Sequence, residues 1–162
     1  MQDILFKLLQ YLSIDNRTYY HEPLFTVEQA LQAASLIPGV QCKNLFLKDS
    51  KNNLYLVVAL HTTNIALKKL SKYIQAPELR FASADLLKEY LGVTPGSVTP
   101  FGLICDKDHK IIVLLDEALF SHDLVSFHPF ENNASIVIKP YDLIKFIEYC
   151  TNACKTIHFN EL

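Results

Sequence analysis

Pro95-Gly-Ser-Val-Thr-Pro-Phe-Gly-Leu103 is the stretch around which we expect this chain to be organised. Three of the four glycines (Gly92, Gly96 and Gly102) and two of the seven prolines lie in or beside it. Glycine permits a positive φ and a close approach to a ligand, and proline restricts φ and removes an amide donor. The stretch predicts a loop of defined shape. Its amides at 96–99 could receive an anion or an oxyanion, or the loop could simply connect two core elements.

Composition limits the class of protein. The 162 residues are 50% hydrophobic and 20% charged, so we expect one globular domain over residues 1–162. A net charge of −2 argues against a protein that coats duplex DNA, although a local nucleic-acid contact needs only a few lysines. No apolar run is long enough to cross a membrane and no signal-peptide pattern is present. We therefore expect a cytoplasmic protein with reduced cysteines and no membrane partner.

Helices and strands are mixed without a regular alternation, which favours an α+β fold with a mixed, largely antiparallel sheet flanked by helices. Apolar spacing and caps predict helices at 2–13, 26–34, 64–73, 83–91 and 140–150. β-prone runs predict strands at 17–21, 44–48, 54–60, 79–81, 103–105, 111–115, 124–128 and 135–138. Turn residues at 49–53 and 106–109 predict two hairpins, and the polar tail from Thr151 is expected to fray.

Four residues outside regular patterns could carry chemistry. Lys43-Asn44 opens an apolar strand, where the lysine could hold a phosphate or could be a solvated edge residue. His128 ends another strand and is either an acid–base group or a structural histidine. Ser97 shows no neighbouring base that would make it a nucleophile. The other histidines and the cysteines show no spacing typical of a metal site, so we expect no metal and no cofactor.

Six segments in order carry a resemblance to a known family: Phe25–Ala30, Lys43–Asp49, Tyr55–Val58, Leu79–Ser83, Tyr90–Leu103 and Phe127–Pro129. Between about residues 19 and 147 the chain resembles the YbaK/ProX family of trans-editing aminoacyl-tRNA deacylases, and is most similar to the ProX-type branch that removes alanine from proline tRNA. The resemblance implies hydrolysis of the ester at the acceptor end of tRNA, with prolyl-tRNA synthetase as a further partner. It also implies bound water and the substrate's ribose hydroxyl in place of a metal or covalent intermediate.

The resemblance also implies roles for individual residues. Gly96 and Pro100 become the ends of a Gly-x-x-x-Pro loop that receives the scissile carbonyl, Lys43 and Asn44 hold the terminal adenosine, and His128 lines the amino-acid pocket or positions water. The implied catalytic residues are Lys43, Gly96, Ser97 and His128. The implied substrate-binding residues are Asn44, Phe25, Val27, Val98, Thr99, Pro100 and Phe101, of which Phe25, Val27 and Phe101 are expected to limit the size of the amino acid.

The chain departs from the family pattern at two positions, and three alternative functions stay open. Cys105 stands where asparagine is usual, and Ser135 where threonine is common. The same chemistry could act on cysteine or serine esters of tRNA. The chain could instead be a non-catalytic module that binds tRNA or a synthetase, or a regulator that uses the Cys105 thiol.

Overall fold

The computed structural model describes residues 1–23 and 26–162, apart from the side chains of Val27 and Ala30. The helices are α1 Gln2–Tyr11, α2 Val27–Ala34, α3 Leu67–Ile74, α4 Ala84–Leu91 and α5 Pro140–Cys150. The strands are β1 Arg17–Tyr20, β2 Val40–Lys48, β3 Leu54–Leu60, β4 Arg80–Phe81, β5 Ile111–Asp116, β6 Val125–Phe127, β7 Ala134–Ile138 and β8 Cys154–Ile157. Short 3₁₀ helices span Pro100–Cys105, Glu117–Ser121 and Phe159–Glu161. The α+β prediction is confirmed.

The strands form one mixed sheet in the order β1-β7-β6-β2-β3-β5-β8, with β4 beside β2. Among the described strands, four neighbouring pairs are antiparallel and three are parallel. The predicted hairpin is present, because β2 and β3 pair antiparallel from Cys42–Leu60 to Lys48–Leu54. The carboxylate of Asp49 accepts the amides of Lys51 and Asn53 and thereby closes the turn.

The sheet splits along one edge of β2. This strand pairs with β6 at Val40 and Gln41, and with β4 at Leu47 and Lys48. Residues 42–45 lie between these two pairings, and no described strand pairs with them on that edge. Strand ladders normally satisfy the backbone on both sides, so an interruption inside a sheet leaves room for another group.

Side chains alternate between two cores, as the pattern of β2 predicts. One face of the sheet, which we call the inner face, carries Phe46, Phe127 and Ile136 and packs against α1, α4 and α5. The other face, which we call the outer face, carries Leu45, Leu47 and other apolar residues that pack against α3.

The predicted strand at 103–105 and the second hairpin are wrong. Residues Pro100–Cys105 form a 3₁₀ helix, and β5 pairs parallel with β3 and β8. Proline at the first helical position and the Thr99 hydroxyl, which accepts the Phe101 amide at 3.3 Å, start a helical turn instead of a strand. The buried Asp106 carboxylate then accepts the amides of Lys110 and Ile111 and directs the chain into β5.

The expectation that the tail frays is also wrong. Residues Cys154–Ile157 form β8, which pairs parallel with the edge of β5. Ile157 and Phe159 are buried in the core on the outer face. Two apolar anchors and a strand ladder outweigh the polar composition of the segment, because backbone pairing does not depend on side-chain polarity.

The helix boundaries follow the predicted caps. The Thr26 hydroxyl accepts the Gln29 amide and the Gln29 side chain accepts the Thr26 amide, which completes the capping box. The Ser83 hydroxyl caps α4 by accepting the Leu86 amide at 3.2 Å. Gly92 ends α4 with φ of +67°. These caps fix where the chain leaves α4 and enters the glycine- and proline-rich stretch.

Candidate functional site

A pocket of about 210 Å³ opens where β2 and β6 separate. Most of its lining residues have polar side chains, and they come from β2, the end of β3, β6 and β7. The lining residues are Gln41, Cys42, Asn44, His61, Ser126, Phe127, His128 and Ser135. The interruption of the sheet therefore creates a small polar site in an otherwise apolar interior.

Asn44 links this pocket to the glycine- and proline-rich loop. Its side-chain Nδ2 donates a hydrogen bond to the carbonyl oxygen of Val98 at 3.1 Å. This bond fixes the orientation of the amide, because Oδ1 could not donate to a carbonyl. Asn44 Oδ1 is then buried without a hydrogen-bond partner in the described structure. A buried acceptor without a partner costs about 1–3 kcal/mol, so a ligand that donates a hydrogen bond here would gain affinity.

The loop begins with a tight turn. The Ser97 amide donates to the Thr94 carbonyl at 3.1 Å, with Pro95 and Gly96 in the central positions and φ of +92° at Gly96. This is the pattern of a type II turn, which requires glycine at its third position. The expectation that the Ser97 amide is free is therefore wrong, because the turn uses it. In the described chain the amides of Gly96, Val98 and Thr99 have no such acceptor.

Ser97 does not have the surroundings of a nucleophile. It is buried, and no described histidine forms a hydrogen bond with it. Nucleophilic serine needs an adjacent base. The contribution of Ser97 to the loop is its backbone, which closes the turn.

His128 lines the pocket in one defined tautomer. Its Nδ1 lies 3.0 Å from the carbonyl oxygen of Ala134, so Nδ1 carries the proton and Nε2 is an acceptor in the neutral ring. Burial lowers the pKa of His128 below its ordinary value of 6.5; the nearby His21 lowers it further, and the Ala134 carbonyl opposes the shift. His128 is therefore neutral at physiological pH and can accept a proton from water.

Lys43 lies on the outer face beside the pocket mouth. It shares this face with Gln41 and Leu45, since every second residue of a strand points to the same side. Gln41 pairs with Ser126 in the parallel register of β2 and β6. Asn44 lies on the inner face and reaches the pocket through the separation of the strands. The dipeptide thus borders the site from two sides of the sheet, although Lys43 does not line the pocket.

Three of the predicted substrate-binding residues are buried and help to build the fold. Phe101 is completely buried and packs edge-to-face against Phe127 and Phe146, with ring centroids 5.9 Å and 5.3 Å apart. Its predicted role as a wall of the amino-acid pocket is wrong, because the ring lies in the core and does not line the pocket. Thr99 and Pro100 are buried and begin the 3₁₀ helix. Phe25 lies outside the described residues, as does the side chain of Val27.

Comparison with known proteins identifies the family of the chain. A model of the aminoacyl-tRNA editing domain matches residues 21–146, which include β2, the loop and His128. The chain belongs to the aminoacyl-tRNA editing domain family. It is 36% identical over 150 residues to the prolyl-tRNA editing protein ProX of Acetoanaerobium sticklandii, with 92% of each chain covered. It is 39% identical over 144 residues to prolyl-tRNA synthetase associated domain-containing protein 1 of Danio rerio, with 88% of this chain and 78% of the relative covered.

Solved structures share the fold of this editing domain. A hypothetical protein, APE2540, superposes with a TM-score of 0.73 at 20% identity and covers 93% of this chain and 95% of its own. A crystal structure assigned provisionally as a trans-editing enzyme for prolyl-tRNA synthetase gives a TM-score of 0.72 at 19% identity, with 96% and 94% covered. In the described part of the chain, no helix is long and apolar enough to span a membrane.

Ser135 and His21 lie at the pocket of this editing domain, although from the sequence Ser135 is only a departure from the family pattern and neither residue has a predicted role in the site. Ser135 lines the pocket, and its hydroxyl lies 3.1 Å from His21 Nε2. His21 Nδ1 lies 2.8 Å from the Glu22 carbonyl, so Nδ1 donates and Nε2 accepts the Ser135 hydroxyl. Pairing of Tyr19 with Ser135 brings His21, two positions after Tyr19, close to Ser135. They are 114 positions apart, and no local sequence signal joins them.

Cys105 lies away from the pocket of the editing domain. Its sulfur sits beneath Gly92, where an added Cβ would approach it to 2.9 Å. Burial raises the pKa of the Cys105 thiol, which disfavours the reactive thiolate. Burial also raises the pKa of Cys42, a pocket residue, to about 12. Within the described residues no group of three His, Cys, Asp or Glu side chains could hold a metal ion.

Proposed function

We propose that this chain hydrolyses the ester of mischarged aminoacyl-tRNA in the cytoplasm, and that its substrate is alanyl-tRNA(Pro). The observation that carries the proposal is the Asn44 side chain. It holds the Gly96–Pro100 loop through Nδ2 and leaves Oδ1 without a partner beside the pocket. An aminoacyl ester carries donors, the α-ammonium group and the ribose hydroxyl, next to the carbonyl that reacts, so one amide could bind the substrate and anchor the loop.

The reacting groups then have distinct tasks. Neutral His128 accepts a proton from a water molecule through Nε2, and that water attacks the ester carbonyl. The carbonyl oxygen becomes negative and is received by loop amides without a backbone acceptor, those of Gly96 and Val98. Such a donor contributes roughly 2.7–4 kcal/mol to lowering the barrier. The carbonyl then re-forms as the ester C–O bond breaks, and the ribose oxygen takes the proton held by His128 and leaves as a hydroxyl. The free amino acid is released and His128 is neutral again.

The logic of proofreading by size supports alanine as the amino acid. A synthetase pocket built for proline admits the smaller alanine, and each missing methylene changes the discrimination by only about 1–3 kcal/mol. A second site that accepts alanine and excludes proline by size corrects this error. The pocket, of about 210 Å³, has room for a small amino acid. Because Phe101 lies in the core, the size limit falls to residues such as Phe127 and His128.

The named relatives support proline tRNA as the nucleic-acid partner. One is called a prolyl-tRNA editing protein and another a prolyl-tRNA synthetase associated protein. We extend this assignment to the chain described here, with the tRNA acceptor end as its ligand and prolyl-tRNA synthetase as a partner that supplies the mischarged tRNA.

A deacylation panel tests the proposal. Purified protein is offered proline tRNA charged with alanine, proline, serine or cysteine, together with alanyl-tRNA(Ala), and release of labelled amino acid is followed. We expect fast release from alanyl-tRNA(Pro) and little from prolyl-tRNA(Pro). Preference for serine or cysteine would replace alanine as the substrate. Tight tRNA binding without release from any ester would identify a binding module and overturn the enzymatic assignment.

A further inference from the structure

A second cavity, of about 510 Å³, adjoins the site along the outer face of the sheet. Its lining includes Arg17 and Tyr19 of β1, Val137 of β7, and Lys139 just beyond β7. The strand register connects it to the first pocket. Tyr19 pairs with Ser135, and Val137 pairs with both Arg17 and Ser126. Ser126 and Ser135 line the first pocket, so residues of the two cavities are direct neighbours on one face.

The two cations of the second cavity form no ion pair among the described residues. The salt bridge found among the described residues joins His158 to Glu117. Neither Arg17 nor Lys139 therefore has a carboxylate within ion-pair distance in that part of the chain. Asp15 also lines the cavity but does not pair with either cation. Arg17 and Lys139 are exposed and Tyr19 is half-buried. Two available cations around an aromatic ring are the combination that binds single-stranded nucleic acid, since cations contact phosphates and the ring stacks on a base.

We propose that this cavity binds the single-stranded 3′ end of the tRNA immediately before the terminal adenosine. Arg17 and Lys139 hold its phosphates, and Tyr19 stacks on a base. The proposal rests on the proposed function, in which the first pocket takes the aminoacyl end. Neighbouring strands lie about 4.8 Å apart and alternate residues about 6.7 Å apart along a strand. The cavity therefore begins within the reach of the nucleotide that precedes the esterified adenosine.

The proposal predicts a dependence on substrate length. Alanyl-adenosine carries the ester but no preceding phosphate, whereas alanyl-tRNA(Pro) carries the whole 3′ end. The R17Q/K139Q double variant should raise the KM for alanyl-tRNA(Pro) about tenfold or more and leave kcat close to its original value. Its kcat/KM for alanyl-adenosine should stay within about twofold of the unsubstituted protein.

Salt gives a second readout. Each phosphate contact on a single strand contributes about 0.7 to the slope of log affinity against log salt concentration. Under subsaturating conditions the R17Q/K139Q variant should therefore lose about 1.4 from the slope of log kcat/KM for alanyl-tRNA(Pro). The matched control is K51Q, which removes an exposed cation in the β2–β3 turn, far from both cavities. It should change neither KM nor the slope.

The outcomes separate this proposal from the proposed function. Equal losses on both substrates, or an unchanged KM and salt slope with tRNA, would overturn the second cavity as a binding site. If the unsubstituted protein hydrolyses neither substrate, the proposed function fails, and fluorescence anisotropy with a short RNA ending in CCA then decides. Weaker binding by R17Q/K139Q than by K51Q would support the cavity, and equal binding would refute it. Y19L, which keeps the apolar contact and removes the aromatic ring, should weaken RNA binding without altering its salt slope.

Discussion

The side-chain amide of Asn44 donates to the carbonyl oxygen of Val98 at 3.1 Å, and it ties the interrupted edge of β2 to the loop that follows α4. The two residues are 54 positions apart. The bond holds the shaped loop beside the gap in the sheet, and it leaves the other end of the amide, Oδ1, without a partner. Asn44 therefore controls both the position of the loop and one acceptor of the pocket.

Replacing Asn44 with alanine should reduce both stability and activity. The variant leaves the Val98 carbonyl without its donor, which should lower the free energy of unfolding by about 1–3 kcal/mol. Loss of the loop position and of Oδ1 should lower kcat/KM for alanyl-tRNA(Pro) about 100-fold. The matched control is Asn53→Ala, which removes a hydrogen bond of the same 3.1 Å length outside the site, from the Asn53 side-chain amide to the Asp49 carboxylate. Denaturant unfolding and deacylation rates measure both, and equal activity in the two variants would contradict this role.

Activity should depend on pH through His128. The pKa of His128 lies below 6.5 because of burial, so the neutral form persists throughout the range above pH 6.5. Deacylation should therefore be constant there and fall only as pH drops through the lowered pKa. The His128→Gln variant should lose about 100-fold in kcat, and its remaining activity should lack this acid limb. A rate profile from pH 5 to 7.5 checks both, and an unchanged acid limb in the variant would assign it to another group.

The same shift affects stability in acid. The unfolded chain binds a proton on this histidine near pH 6.5, whereas the folded protein binds it only at lower pH. Unfolding therefore takes up a proton in this window, and the His128 contribution to stability should be lost progressively as pH falls below 6.5. Above pH 6.5 both states are neutral and the contribution should not change. Urea midpoints of the original protein and His128→Gln across this range test the sign.

Two glycines of the loop should respond differently to alanine. At Gly96 φ is +92° and an added Cβ would meet nothing within 4 Å, so the cost is backbone strain of about 1–2 kcal/mol. At Gly102 the Cβ would lie 2.6 Å from the Leu91 carbonyl oxygen, so α4 or the 3₁₀ helix must move. We expect Gly96→Ala to affect mainly the rate of deacylation. Gly102→Ala should lower the melting temperature more than Gly96→Ala does. Greater destabilisation by Gly96→Ala than by Gly102→Ala would contradict this ranking of the two variants.

Replacing Lys43 with alanine should impair substrate binding in a folded protein. A hydrogen bond to a charged partner is worth about 1.5–3 kcal/mol, which corresponds to about 10-fold to 100-fold in kcat/KM for alanyl-tRNA(Pro). Lys48 provides the control, because it lies on the same strand as Lys43 but on the opposite, inner face. Lys48→Ala should retain its activity. Unimpaired deacylation by Lys43→Ala would remove the proposed contact with the terminal adenosine.

Local patterns predicted most elements of this fold. The β2–β3 hairpin, the Thr26 capping box, the Ser83 cap and the helix from Pro140 are all present, because their signals lie within a few residues of the structure they specify. The predictions failed at residues 103–105 and in the C-terminal tail. In both, partners distant in sequence decide the structure: Asn152 donates to Asp106, and β8 pairs with β5.

The sequence by itself determined the glycine and proline positions that shape the loop, the alternation that separates Lys43 from Asn44, and the family to which the chain belongs. Only the tertiary structure decided which groups share the site. Parallel pairing of β2 with β6 stops after Gln41, which opens the pocket, and pairing of β1 with β7 brings His21 to Ser135. Strand register is set by packing across the whole sheet, so no short segment contains the information that places these side chains together.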